Sequence, residues 1–198
     1  MMRLFALATC VLAITLGATA MADETKPVEL KVGDKAPAFE GKTDENKDWK
    51  SKDHVGKKVL VVYFYPADMT GGCTKQACNY RDAVAELESD DVEVIGVSGD
   101  SVENHQHFKK EHKLNFTLLA DPKGEIAKAF GVKTGDGGVV NVKIGDKDVS
   151  LERGVTTSRW TFVVDLDGKI ALKDDKVDAA KDTEKTLKVV EKLATKKK

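Results

Sequence analysis

Two cysteines, Cys73 and Cys78, are separated by four residues and stand where sulfur chemistry could occur. Cys73 closes the stretch Pro66-Ala67-Asp68-Met69-Thr70-Gly71-Gly72, which follows an unbroken run of β-formers at residues 59–65. Beyond it, Ala77, Tyr80, Val84 and Leu87 recur at three- and four-residue spacings, with Lys75, Gln76, Arg81, Asp82 and Glu86 between them. That pattern predicts an amphipathic helix with Cys73 in its first turn. Unpaired N–H groups and the dipole at a helix start favour a thiolate over a thiol and can hold an anionic oxygen. Gly71 and Gly72 let a substrate approach the backbone, and Pro66 fixes the chain direction as it leaves the strand. Taken alone, the same placement also suits a buried cysteine in an ordinary strand-to-helix turn.

The elements that must position this sulfur follow from periodicity. Residues 59–65 predict a central strand covered on both faces, and residues 92–97 a second. Asp100-Ser101-Val102-Glu103 has the form of a capped helix start, with the helix running to about His112. Residues 116–120 predict a third strand, Asp121-Pro122-Lys123-Gly124 a turn, and residues 125–130 a brief helix. Residues 160–164 and 170–172 flank Asp167-Gly168 as a hairpin, and a last helix is expected over about residues 179–193. Residues 133–154 break the rhythm: Val140, Val142 and Ile144 alternate with polar residues and Gly145-Asp146 can turn the chain, so an inserted edge hairpin is expected. Strands alternating with helices indicate an α/β fold, a central mixed sheet with helices on both faces.

Met1-Met2-Arg3 and the apolar residues 4–16 read as an export signal, with small residues up to Ala22 where a peptidase would cut. The expectation is a signal peptide over residues 1–22, one domain over residues 23–198, and a periplasmic or secreted protein with no membrane association after processing. Cys10 would leave with the signal, so only Cys73 and Cys78 would remain in a compartment where disulfides persist. The net charge of −1 supplies no general attraction for nucleic acid or anionic membrane.

Pro66, Thr70 and Cys73 meet the pattern P-x-x-x-T-x-x-C, and with Cys78, Gln76, Ala77, Arg81 and Asp82 the chain resembles the Q-type peroxiredoxins, the bacterioferritin comigratory protein group. The resemblance covers roughly residues 32–193 and includes Ser98, Asp100, His105, Phe108 and Leu118-Leu119-Ala120-Asp121. It implies a thioredoxin-like fold and a thiol peroxidase acting on hydrogen peroxide and organic hydroperoxides. On it, Cys73 is the peroxidatic cysteine, Thr70 its hydroxyl partner and Cys78 the resolving cysteine that closes an intramolecular disulfide. Arg159 matches the family's arginine ahead of a late strand; its charge would stabilise the thiolate and the departing oxygen, and Gly72, Thr70 and Arg159 would line the substrate site. A thioredoxin-like partner would re-reduce the disulfide, with no cofactor, and the chain is expected to be a monomer or weak dimer.

This chain departs from the family in four respects. Gly71 stands where a proline is common, which should loosen the loop. Trp160 is bulky beside Arg159 and is a candidate to reshape the pocket, residues 133–154 are a candidate cover for the site, and export is unusual. Arg81 reads first as one half of a helix-face ion pair.

Three other readings fit the residues less well. An exported thiol–disulfide oxidoreductase of the same fold would use C-x-x-C, whereas this chain has C-x-x-x-x-C. A copper-handling or structural-disulfide module gives no account of Pro66, Thr70 and Arg159. A metal centre built on His54, His105, His107 and His112 lacks the spacing of a structural zinc site, so no metal is expected.

Overall fold

The structure is a computed structural model that describes residues 28–87 and 91–195. The proposed signal and the Lys196–Lys198 tail lie outside the described residues. The elements in chain order are β1 (Glu40–Thr43), β2 (Asp48–Lys50), β3 (Val59–Phe64), α1 (Gly71–Leu87), β4 (Val92–Ser98), α2 (Val102–His112) and β5 (Thr117–Ala120). They continue with α3 (Glu125–Ala129), β6 (Thr134–Ile144), β7 (Lys147–Thr157), β8 (Trp160–Val164), β9 (Ile170–Asp174) and α4 (Asp182–Thr195).

Seven strands form one mixed sheet in the order β2-β1-β5-β4-β3-β8-β9. The central three, β5, β4 and β3, are parallel, and the flanking pairs are antiparallel. Successive side chains of a strand point to opposite faces, and β3 divides accordingly. Leu60, Val62 and Phe64 join Ile126, Ala127 and Phe130 of the α3 region on one face. Val61, Tyr63 and Tyr65 join Cys73, Ala77 and Tyr80 of α1, Phe108 of α2 and Val190 of α4 on the other. Helices therefore cover both faces, and Cys73 belongs to the face that carries three of them.

Two expectations need correction. The inserted hairpin does not extend an edge of the main sheet: β6 and β7 form a two-stranded sheet of their own, from Thr134↔Thr157 to Ile144↔Lys147, with an isolated bridge from Arg153 to Asp100. The chain here must cross from α3, on the β5 side, to β8 beside β3, so the hairpin's root passes the carboxyl ends of the parallel strands. It docks there through Gly154 N donating to Gly99 O at 2.9 Å. A Cβ on Gly99 would meet the Val155 carbonyl oxygen at 2.0 Å, and one on Gly154 the Pro122 carbonyl oxygen at 1.9 Å, so this close approach requires glycine. The last helix begins at Asp182, not near residue 179, because Asp178 first closes a turn, accepting from the Ala180 N–H with its carboxylate and from the Lys181 and Asp182 N–H groups with its carbonyl.

Candidate active site

Cys73 is the third residue of α1 and is 1% exposed, its sulfur between the helix start and the sheet. Arg159, between β7 and β8, reaches over it: Nη2 donates to Cys73 Sγ at 3.1 Å while Nη1 donates to Gln76 Oε1 at 2.5 Å. A hydrogen bond from a permanent cation to sulfur is strongest when the sulfur is anionic. The guanidinium is therefore placed to favour the nucleophilic form and to meet negative charge arising beside it. Two donors used at once on two partners is a task for a planar fork.

The loop before Cys73 begins at half-buried Pro66 and ends at exposed Thr70. Thr70 starts the helix, its carbonyl accepting from the Thr74 N–H at 2.8 Å. Its hydroxyl donates to Ala67 O at 3.0 Å, which commits the hydroxyl proton and leaves Oγ1 as an acceptor for the proton of an approaching O–H. Met69 sits at φ 62°, a left-handed conformation that a side-chain-bearing residue adopts at a cost. A Cβ on Gly72 would lie 3.5 Å from Arg159 Nη2, in ordinary contact with the guanidinium, so Gly72 borders the arginine over Cys73. Gly71, by contrast, faces open space.

Behind Arg159 stands a group that sequence reasoning missed. Gln76 is fully buried and donates through Nε2 to Asp182 Oδ2 at 2.6 Å. The same carboxylate oxygen accepts from Tyr80 Oη at 2.7 Å and Thr161 Oγ1 at 2.9 Å. Burial, and then the charge of Asp182, push the Tyr80 phenol well above its usual range, which keeps it a donor. The helix pattern places Gln76 among the polar residues between the apolar positions, and the resemblance includes it, but neither marks it as a buried residue. Asp182, 106 residues away, carried no local signal beyond that of an acid near a helix start.

A second buried network supports the loop from below. Asp68 accepts from Tyr65 Oη at 2.8 Å and faces His105 Nδ1 at 2.8 Å, and its backbone N–H donates to Asp100 Oδ2 at 2.9 Å. Asp100 is also held by Ser98 Oγ, Asn104 Nδ2 and, from the hairpin, Arg153 Nε at 3.3 Å. Burial opposes protonation of His105, but Asp68 and Asp100 outweigh it and raise its pKa above the ordinary value. Sequence reading gave His105 a packing role near the sheet; it packs there, and it also pins the catalytic loop. Thr157, at the end of β7, donates to Tyr65 O at 2.8 Å. The insertion thus buttresses the loop from its root.

Cys78 lies further along α1, half-buried, with Arg81 Nη1 3.6 Å from its sulfur. Arg81 makes the expected ion pair, with Asp82 at 2.7 Å, and also grips the His112 carbonyl at 2.8 Å. Both thiols are free and both lie on one continuous helix. Residues five apart on such a helix are roughly 8 to 9 Å apart between Cα atoms. A disulfide spans no more than about 7 Å.

The structure brings Arg159 to Cys73 and beside Gly72, with Thr70 at the start of the helix, Pro66 at the loop's start and Cys78 further along the same helix, outside the cluster. Trp160 does not reshape the pocket: its ring packs on the Phe162 side of the sheet, opposite Cys73, with Lys173 Nζ 4.8 Å above it. The histidines do not converge either. His54 bonds Glu93, His105 bonds Asp68 and His112 packs against Phe108.

Comparison with known proteins agrees with this geometry. Residues 32–173 match the AhpC/TSA family. The chain is similar to peroxiredoxin Bcp of Bacillus subtilis, 38% identical over 141 residues, 71% of this chain and 82% of that protein. It is similar also to the chloroplastic peroxiredoxin Q of Sedum lineare, 37% identical over 162 residues, 81% of this chain and 78% of that one. Among solved structures, peroxidoxin BcpB of Mycobacterium tuberculosis superimposes with a TM-score of 0.68 at 27% identity, covering 83% of this chain and 99% of its own. A buried sulfur at a helix start under an arginine, on this sheet and in this company, places the chain in the AhpC/TSA family as a peroxiredoxin of the Q type.

Proposed function

We propose that this peroxiredoxin reduces hydrogen peroxide and organic hydroperoxides at Cys73, resolves the product with Cys78, and is re-reduced by a thioredoxin-like dithiol. The observation that carries the reading is the Arg159 Nη2 contact with Cys73 Sγ at 3.1 Å, at the N-terminus of α1. In the first step the Cys73 thiolate attacks one peroxide oxygen. An S–O bond forms, the O–O bond breaks, and the other oxygen leaves with the electron pair, taking a proton to become water or an alcohol. Thr70 Oγ1 accepts from the peroxide O–H and orients it. Arg159 and the backbone N–H groups at Gly72 and Cys73 face the negative charge as it moves.

Cys73 is then a sulfenic acid. The Cys78 thiolate attacks its sulfur, an S–S bond forms, and hydroxide leaves and is protonated to water. The separation on an intact helix requires the first turns of α1 to unwind between the steps. Two electrons from an external dithiol restore both thiols. The same separation argues against a dedicated thiol–disulfide oxidoreductase, whose two sulfurs exchange within one helical turn.

We further infer export, from the charge and apolar pattern of residues 1–22. The electrons would then come from a thioredoxin-like domain outside the cytoplasm. Purified residues 23–198, mixed with hydrogen peroxide, cumene hydroperoxide or neither, with and without thioredoxin and its reductase, should consume peroxide beyond one equivalent per chain only with the reductant present. No consumption of either peroxide beyond the protein-free rate would overturn the enzymatic reading.

A further inference from the structure

We propose that Asp182, on the last helix, is a positioning residue that drives the two half-reactions in opposite directions, speeding attack on peroxide and restraining disulfide closure. The proposal rests on the roles given above to Cys73 and Cys78.

Asp182 is 2% exposed, and its Oδ2 gathers Gln76 Nε2 and Tyr80 Oη from the helix that bears Cys73, and Thr161 Oγ1 from the strand that follows Arg159. One oxygen thus ties the nucleophile's helix to the arginine's strand. An ionised carboxylate only accepts hydrogen bonds. It therefore draws the nitrogen of the Gln76 amide toward itself and leaves Oε1 facing outward. That oxygen is the one Arg159 Nη1 donates to while Nη2 points at Cys73. The orientation of the guanidinium is set two bonds away, by the charge of Asp182.

The same bonds act against closure. Gln76 lies between Cys73 and Cys78, and Tyr80 lies two residues beyond Cys78. Unwinding the first turns of α1 must release the Gln76–Asp182 bond and loosen the Tyr80 anchor. Asp182→Asn keeps the size and an oxygen for the three donors, with its NH2 on the side where Oδ1 has no partner, but it removes the charge that strengthens each of these bonds. The Gln76 amide is then held less firmly with its oxygen toward Arg159, and α1 less firmly to the last helix. Such a change weakens the aim of the guanidinium and loosens the helix together.

The test is rapid mixing of the reduced chain with hydrogen peroxide, quenched at intervals and read by mass spectrometry. Sulfenic acid is trapped with a dimedone reagent, and disulfide is counted as the loss of alkylatable thiols. Asp182→Asn should slow sulfenic acid formation about tenfold, the loss expected when one hydrogen bond to a charged group goes, and should speed disulfide closure severalfold. Tyr80→Phe, which removes one donor and keeps the ring, should speed closure with a smaller effect on the first step. A role in stability alone would slow both steps or leave both unchanged, and either result for Asp182→Asn overturns the proposal. If that variant does not fold, Tyr80→Phe decides: closure no faster than wild type overturns the proposal. A wild-type chain that forms no sulfenic acid at Cys73 would instead overturn the reading of the site, and this proposal with it.

Discussion

Cys73 and Cys78 share one helix, yet their surroundings differ in kind. Cys73 is buried, touched by Arg159, and backed by Gln76 and Asp182 across two elements. Cys78 is half-buried beside Arg81, whose other bonds go to Asp82 and the His112 carbonyl. The first sulfur has its partners in place before any substrate arrives, which is what lowers a barrier without reorganisation during the reaction. The second is half-buried, and few buried contacts would be lost there in the disulfide closure proposed above. In this helix preorganisation and mobility are divided between two sulfurs less than two turns apart.

The largest effect should come from exchanging the sulfurs' fates. Cys73→Ser should abolish peroxide consumption. Cys78→Ser should still react once and leave Cys73 as a sulfenic acid that a dimedone probe labels. Equal residual turnover in both variants would erase the distinction between the two positions. Next in size is Arg159→Lys, which keeps the charge but cannot serve Cys73 and Gln76 together. Sulfenic acid formation should slow about 100-fold in single turnover, the loss typical of removing one donor from such a site. A lysine variant as fast as wild type would reduce Arg159 to a structural arginine.

A smaller effect bears on mobility. Gly71 is the first residue of α1 and faces open space. Proline is well suited to that helix position. Gly71→Pro should therefore stabilise the chain by about 0.4–1 kcal/mol in denaturant melts. Disulfide closure should slow severalfold while sulfenic acid formation stays close to wild type. Faster closure in the proline variant would mean that unwinding does not begin at this end.

The smallest effect is with pH, and it has opposite signs at the two ends of α2. His105, under the Cys73 loop, has a raised folded-state pKa: burial opposes its charge, but Asp68 and Asp100 prevail. Its contribution to stability is fully present below the unfolded value of about 6.5 and is lost as pH rises through the folded value. His112, whose carbonyl holds Arg81, is lowered by burial, with Glu111 pulling the other way and Arg81 adding to the depression. Its contribution is present above about 6.5 and is lost as pH falls toward the folded value. Amide protection, corrected for intrinsic exchange, should rise around residues 66–70 and fall around residues 109–112 between about pH 8 and about pH 5.5. Changes of one sign in both segments would remove the electrostatic contrast.

Much of this was legible in the chain. The run at residues 59–65, the helix that carries Cys73 in its first turn, the start of α2 just after Asp100-Ser101 and the turn at Gly145-Asp146 all lie where local patterns put them, since each depends on residues within a few positions. Arg159, 86 residues from Cys73 in the chain, reaches its sulfur, and Thr70 stands at the start of the same helix. The supporting shell was not legible. Gln76 and Asp182 are 106 residues apart, and Asp68 and His105 are 37 apart, so only the folded topology joins them. Trp160 was misplaced for a different reason. β8 is buried among apolar side chains on both faces, so alternation in the sequence does not say which way the ring turns.

The hairpin has a further consequence for anyone handling the protein. Its tip, at Gly145-Asp146, stands in solvent at the far end of two eleven-residue strands that form a sheet of their own. Its root holds Tyr65 and Asp100, which brace the Cys73 loop. The hairpin is thus a ready-made handle. An epitope or fluorophore grafted at the tip would ride far from the sulfur chemistry, whereas trimming the hairpin back to its root would cut into the scaffold that keeps the catalytic loop in place.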